Sequence, residues 1–269
     1  MENRNILRGI KRIHFVGIGG SGMSPLAEIL HSRGYIITGS DINESDNVDR
    51  MRSLGITVTL KQQEQNVGDA ELIVYTSAVN PQNPELTHAA EKGVPMIERG
   101  KMLGLITQEF PSAIGVAGTH GKTTTTSMLA QILLKGGFDP SIFIGGRLPL
   151  INANGRSGSS GIMVCEACEF QDHYLSMTPA VSLILNVDAD HLDYFGTLEN
   201  VINSFHRFAD LASRAVIINA DDANTVRAAE GITGRQIITF GMNEKYDWFA
   251  KNIKMTNGSY GQYDLYHRD

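Results

Sequence analysis

The sequence predicts an α/β protein: an N-terminal Rossmann-like doubly wound parallel sheet followed by a P-loop-type α/β central domain. Three observations carry that expectation. Short β-branched runs alternate with helix-length amphipathic stretches, which is the pattern of βαβ units. Two glycine-rich turns each follow an expected strand and open an expected helix. The pattern also breaks at Glu109-Phe110-Pro111-Ser112 and then restarts.

In the first block, strands are expected at residues 13–16, 36–39, 57–60, 72–76 and 95–97, with helices at 24–33, 47–54, 84–91 and 99–107. The second block opens with a strand at 113–117, the second glycine turn and a long helix at 122–134. Further strands are expected at 141–144, 162–165, 181–185, 215–219 and 236–240, and a helix at 198–211. Residues 152–161, rich in Gly, Ser and Asn, read as a mobile loop. Domains of 1–110 and 111–269 follow from this division. Residues 262–267 alternate like a strand and then stop without turn or cap, so the chain reads as ending in mid-domain.

Bulk properties narrow the function. With 269 residues, 42% of them apolar, each block can bury a core. A net charge of -6 with scattered lysines and arginines leaves no electrostatic footprint for a nucleic-acid partner. An anionic ligand must therefore be held by local features. Residues 1–11 lack the apolar stretch of a secretory signal and no segment reaches membrane-spanning length, so a cytoplasmic protein without a membrane partner is expected, as a monomer or weak homodimer. Cys165 and Cys168 have C-x-x-C spacing, but there is no second pair to complete a zinc site and the motif follows an apolar run instead of starting a helix. Reduced thiols near a strand end are the expected reading.

The first glycine turn, Gly17-Ile18-Gly19-Gly20-Ser21-Gly22, fits G-x-G-x-x-G between a strand and a helix. Its glycines allow a tight turn and a close approach of backbone to a diphosphate, and the helix N-terminus adds oriented N–H donors. Asp41, at the end of the second strand, sits where a carboxylate can accept from ribose hydroxyls. Alone, this pattern suits NAD, or no more than a tight βα turn.

The second turn, Gly115-Val116-Ala117-Gly118-Thr119-His120-Gly121-Lys122-Thr123-Thr124, is more specific. It has the Gly-Lys-Thr core of a P-loop, with Val116 where that pattern expects glycine. Residues 118–124 are the candidate phosphate cradle, with Lys122 on the β and γ phosphates of ATP and the Thr123 hydroxyl on Mg²⁺. A triphosphate site argues against simple hydride transfer, which has no use for a γ-phosphate.

Taken with Asn186-Val187-Asp188-Ala189-Asp190-His191-Leu192-Asp193, and with the first motif extended as Ile13-His14-Phe15-Val16 before Gly17 and Met23 after Gly22, these residues resemble the Mur ligases of peptidoglycan synthesis. The likeness is greatest to the branch that joins L-alanine to UDP-N-acetylmuramate, and it runs in order over essentially the whole chain. The resemblance implies that Gly17, Gly19, Gly20, Ser21 and Gly22, with Asp41, face a UDP diphosphate instead of NAD, and that Ser77 lies on the uridine side. It further implies that Glu166 and His191 bind metal and act with Lys122 in catalysis. Without the resemblance, His191 reads as a helix-start or core histidine; Asp190 and Asp193 beside it read as ring-orienting groups or ligands of metal-bound water, or equally as helix caps.

The implied reaction is attack of the sugar-acid carboxylate on ATP to give an acyl phosphate, which the amine of L-alanine opens. Sister ligases use a carbamylated lysine on the helix after the histidine motif, yet residues 199–214 contain no lysine, which favours the alanine-adding branch. The family's third domain has no counterpart in this sequence, so the chain alone is expected to bind the UDP sugar with little or no ligase activity. Alternatives are a related ligase adding a peptide to the same sugar acid, or a nucleotide-sugar-binding fragment without catalysis.

Overall fold

A computed structural model describes residues 6–256 and 260–268. Its contacts divide into two units, one of residues 1–111 with 126–165 and the other of 112–125 with 166–269. The expected α/β class is what the chain adopts.

The first unit begins with β1 (Arg12–Val16), α1 (Ser24–Ser32), β2 (Ile36–Ser40), α2 (Asp46–Ser53), β3 (Thr57–Thr59), β4 (Leu72–Tyr75), α3 (Pro84–Glu91), β5 (Met96–Glu98) and α4 (Arg99–Thr107). The strands form a parallel sheet in the order β3-β2-β1-β4-β5. Four consecutive residues of central β1, from Ile13 to Val16, are buried, so both faces of that strand are covered, as a parallel sheet flanked by helices requires. The order reverses at β1, where β2 lies on one side and β4 on the other, and such a switch point opens a crevice beyond the carboxyl ends of the strands. Helix starts are fixed locally. The Ser45 side chain accepts from the Val48 N–H to cap α2, and Asn83 does the same for α3 from the Glu85 N–H.

The chain continues through β6 (Ser112–Ala117) and α5 (Lys122–Lys135) to β7 (Ser141–Leu148), β8 (Ala153–Arg156) and β9 (Ile162–Glu166). Strand β7 pairs in parallel with β9 and antiparallel with β8. The mobile loop expected at 152–161 is therefore corrected, because four of its residues are β8. Its polar composition signals low burial, yet a strand at a sheet edge needs only its ladder partner, which β7 supplies. That segment is also tied to Asp139, which accepts from the Ser159 N–H and hydroxyl and from Arg156 at the end of β8. Those bonds, Ser159's first among them, hold the Asp139 carboxyl below the usual carboxylate range.

In the second unit follow β10 (Val181–Ile184), the single turn α6 (Leu192–Phe195), α7 (Leu198–Asp210), β11 (Ala215–Asn219), α8 (Ala223–Ala229), β12 (Gln236–Gly241), β13 (Trp248–Thr256) and β14 (Tyr260–His267). Strand order there is β14-β13-β12-β11-β10-β6, parallel from β6 to β13 with antiparallel β14 at the edge. Helix α7 buries Val201, Ile202, Phe205, Phe208 and Ala209, a stripe at helical spacing, and Thr197 caps it. Each fully buried phenylalanine there contributes on the order of 1.5–3 kcal/mol of transfer free energy. The sequence pattern left α8 unassigned, although Asp222 caps it by accepting from the Asn224 and Thr225 N–H groups. Among the described residues no helix is long and apolar enough to cross a membrane.

Candidate functional site

The second glycine turn sits at the carboxyl end of β6, whose neighbour β10 runs beside it in register, Ala117 against Ile184. That register places the residues after β10 against the turn. Asn186 clamps one peptide unit, its Oδ1 accepting from the His120 N–H at 2.8 Å and its Nδ2 donating to the His120 carbonyl at 3.0 Å. Thr119 donates its N–H to the Asn186 carbonyl at 3.1 Å, and its buried hydroxyl accepts from the Asp188 N–H at 2.9 Å. Gly118 adopts φ +149°, a conformation that residues with a Cβ rarely take, and a Cβ there would meet the Leu185 Cβ at 3.0 Å, so a larger residue is strained and must push Leu185 aside. The two motifs that looked separate in sequence are thus one hydrogen-bonded structure.

Lys122 is the first residue of α5, and its ammonium points back into the turn. It donates to the Gly118 carbonyl at 2.6 Å, the Thr119 carbonyl at 3.2 Å and Glu169 Oε1 at 2.9 Å. Gly121, Thr123 and Thr124 flank it, exposed at the start of the helix.

Glu166 ends β9, and the Ala167 N–H that follows donates to the Val116 carbonyl at 2.9 Å, which fixes the carboxylate beside the carboxyl end of β6. Its Oε1 is buried without a hydrogen-bond partner, and so is Oε2 of Glu169. His191 lies in the left-handed region, φ 50° and ψ 39°, as the residue that precedes α6. Asp190 accepts the His191 N–H at 2.7 Å, and the Phe170 ring stands edge-on to the imidazole at 5.1 Å. One ligand atom from each of Glu169, Asp190 and His191 lies within 4.8 Å of the others, whereas Glu166 is not one of that trio.

The segment that carries Glu169 is anchored from behind. Tyr174 is buried, stacked on Phe208 at 4.7 Å and bonded through its hydroxyl to Ser204 at 2.8 Å. Burial pushes that hydroxyl well above its ordinary value, so it stays a neutral hydrogen-bonding group.

In the first unit a cavity of about 570 Å³ opens beyond the sheet and is lined by Gly17, Gly19, Gly20 and Asp41, among others. Thr76 and Ala78 line it, but Ser77 between them does not, and neither do Ser21 and Gly22. The Asp41 carboxylate holds the turn: Oδ2 accepts from the Gly19 N–H at 2.8 Å, and Oδ1 from the Ile42 and Asn43 N–H groups. A Cβ at Gly19 would come within 2.9 Å of that same oxygen. Sequence reasoning gave no role to Asn43, Gln62, Asn80 or Asn83, which supply most of the cavity's remaining polar lining. Nor did it assign one to Asn186 or Asp188, which stand inside the third motif, or to Glu169, which follows Cys168. Cys165 is buried at the end of β9, Cys168 is half-buried, and neither is in a disulfide.

Replacing Asn186 by alanine removes both bonds to the His120 peptide. A loss of about 1–3 kcal/mol in stability is expected. Thermal unfolding of the variant checks it.

The chain matches two family descriptions, "Mur ligase family, catalytic domain" over residues 12–111 and "Mur ligase middle domain" over residues 116–265. It is 43% identical over 264 residues to the UDP-N-acetylmuramate--L-alanine ligase of Caldanaerobacter subterraneus subsp. tengcongensis, covering 97% of this chain and 57% of that protein. The enzyme of the same name from Acetivibrio thermocellus is 41% identical, with 98% of this chain and 57% of the relative covered. The chain thus spans about half the length of the curated relatives it matches. Among solved structures, the UDP-N-acetylmuramate-alanine ligase of Thermotoga maritima superposes with a TM-score of 0.78 at 30% identity, over 90% of this chain and 55% of the other. A murein peptide ligase from Psychrobacter arcticus shares the fold, with a TM-score of 0.82 at 24% identity over 97% of this chain and 59% of the other. With both family descriptions matched in order and the glycine turn stitched to the Asn186–Asp188 segment as one site, the chain belongs to the Mur ligase family.

Proposed function

We propose that this chain supplies the nucleotide-sugar and ATP sites of a ligase that joins L-alanine to the carboxylate of UDP-N-acetylmuramate through an acyl phosphate. Residues 1–110 take the UDP sugar and residues 111–269 take ATP. One observation carries the reading: Lys122 is held inside a turn clamped by Asn186, beside the carboxylate of Glu169.

ATP fits residues 118–124, where backbone N–H groups and the start of α5 favour phosphate oxygens. Lys122 offers its charge to the β and γ phosphates. Two buried carboxylate oxygens without partners, Glu166 Oε1 and Glu169 Oε2, suit a hard cation, which favours oxygen ligands. Thr123, Glu166 and His191 would hold Mg²⁺. Bound there, the ion would neutralise charge on the transferring phosphoryl group. Asp190 orients the His191 backbone by accepting its N–H, and Asn186 keeps the turn in shape before ligand arrives. No protein nucleophile is required, since positioning and charge neutralisation do the chemistry.

In the first unit the turn at Gly17, Gly19 and Gly20 faces the UDP diphosphate, with Ser21, Gly22 and Ser77 at the periphery. Asp41 shapes that turn, and any contact with ribose is made while it keeps its bond to Gly19. Calorimetric titration of the chain tests the reading: UDP-N-acetylmuramate and ADP are each expected to bind, at independent sites, and NAD is not. Binding of NAD in place of the UDP sugar would overturn it. On a ligase that contains this chain, competition between L-alanine and a peptide substrate separates the alanine-adding reading from the peptide-adding one.

A further inference from the structure

The Lys122 ammonium has three N–H donors, and three acceptors surround it. Two belong to its own turn, the carbonyls of Gly118 and Thr119. The third, Glu169, comes from a segment 47 residues away and is 3% exposed, against 18% for the lysine side chain. This is a mostly desolvated ion pair, less screened than a surface bridge. To reach a phosphate, Lys122 must give up at least one of these partners. Releasing Glu169 leaves a buried carboxylate whose other oxygen already lacks a hydrogen-bond partner, close to Asp190.

We infer that Glu169 is a positioning residue that competes with nucleotide phosphates for Lys122 and so makes tight nucleotide binding conditional on an accompanying cation. The inference rests on the proposed reading of residues 118–124 as the nucleotide site. In the resting chain Lys122 is itself the cation that satisfies Glu169. A nucleotide without metal pulls the lysine away and sets its own negative charge near an uncompensated carboxylate. A nucleotide that brings a divalent cation replaces the lost positive charge, so the exchange is balanced. Selectivity for metal-bound over metal-free nucleotide then comes from an acid outside the Gly-Lys-Thr motif.

The sign of this effect separates it from structural damage. Substituting Glu169→Gln keeps the shape and removes the charge, so Lys122 is freed. Calorimetric titration with ADP in excess chelator is expected to give binding roughly tenfold tighter for Glu169→Gln than for the unsubstituted chain, as loss of one close charge pair in a partly desolvated site implies. Glu169→Asp, which keeps the charge, should stay within about threefold of the unsubstituted chain. The tightening from added Mg²⁺ should shrink in the Gln variant. Metal-free ADP binding that is unchanged or weaker in Glu169→Gln, with the near-ultraviolet circular dichroism of the folded chain retained, overturns the inference and leaves the nucleotide reading standing. If ADP binds to none of the three proteins with or without Mg²⁺, the nucleotide reading itself falls, and the inference with it.

Discussion

Replacing Lys122 by alanine is expected, on the proposed function, to remove roughly 3 to 5 kcal/mol of transition-state stabilisation from a ligase that contains these residues, and to weaken ADP binding to this chain by about a hundredfold or more. Two effects act in the same direction. The phosphates lose the one cation held inside their turn, and Glu169 is left buried with neither oxygen paired. The second effect also reaches the ligand-free protein, where an orphaned buried acceptor costs about 1–3 kcal/mol. Lys122→Ala should therefore unfold at a lower temperature than the unsubstituted chain before any ligand is added. Adding Glu169→Gln to it should recover part of that stability, because the neutral amide tolerates burial better than an unpaired carboxylate. Recovery of stability without recovery of ADP affinity identifies the lysine's two roles separately. If Lys122→Ala binds ADP as tightly as the unsubstituted chain, residues 118–124 are not a phosphate cradle.

Much of this arrangement was legible in the sequence because it depends on local rules. The expected helices at 84–91 and 99–107 coincide with α3 and α4, since each starts at a clear punctuation: Asn83-Pro84 for one, and the end of a short strand for the other. Both glycine turns lie where a strand feeds a helix, which a strand-turn-helix pattern specifies without knowledge of the rest of the chain. What was not legible depends on pairs distant in sequence. Asn186 clamps His120 only because β6 and β10 are neighbours, and nothing local to either segment says so. Glu169 reaches Lys122 from a segment whose next residues, Gln171 and Asp172, both adopt positive φ, a bend that residues other than glycine rarely make and that no turn signature announced. The strand at 153–156 was hidden by its composition, since an edge strand can be built from Ala, Asn, Gly and Arg when its partner provides the ladder. The glycine turns mark the candidate sites, and long-range pairing decides which acids stand beside them.

A second large effect is expected far from the nucleotide turn, at Glu85. This glutamate is fully buried on α3 beneath the first sheet, where its carboxylate accepts from the Ser40 hydroxyl at 2.6 Å and from the Asn66 side-chain amide. The equally buried His14 brings its Nε2 to 3.7 Å, and His14 is itself fixed on the other side by Thr38 at 2.8 Å. Burial alone would push the carboxyl up, but His14, Ser40 and Asn66 together outweigh it and hold Glu85 below its ordinary value of 4.5. Because the folded protein then binds the proton less readily than the unfolded chain, the stabilisation is fully present above about pH 4.5 and is lost as pH falls through the lower folded value. Glu85→Ala should destabilise the first unit by roughly 3 to 5 kcal/mol, the range for removing one partner from a buried charged network. Glu85→Gln should cost less and should flatten the acid limb, because its side chain has no proton to gain. The consequence extends to the ligand. The Ser40 carbonyl accepts the N–H groups of Gly17 and Ile18 at 2.8 and 2.9 Å, so the residue that Glu85 anchors is also the one that shapes the first glycine turn. UDP-sugar affinity should fall in Glu85→Ala even under conditions where the unit remains folded. Urea unfolding across the acid range, paired with UDP-N-acetylmuramate titration at neutral pH, checks both effects. An Ala variant with unchanged midpoint and unchanged affinity would mean that the turn keeps its shape without the network beneath it.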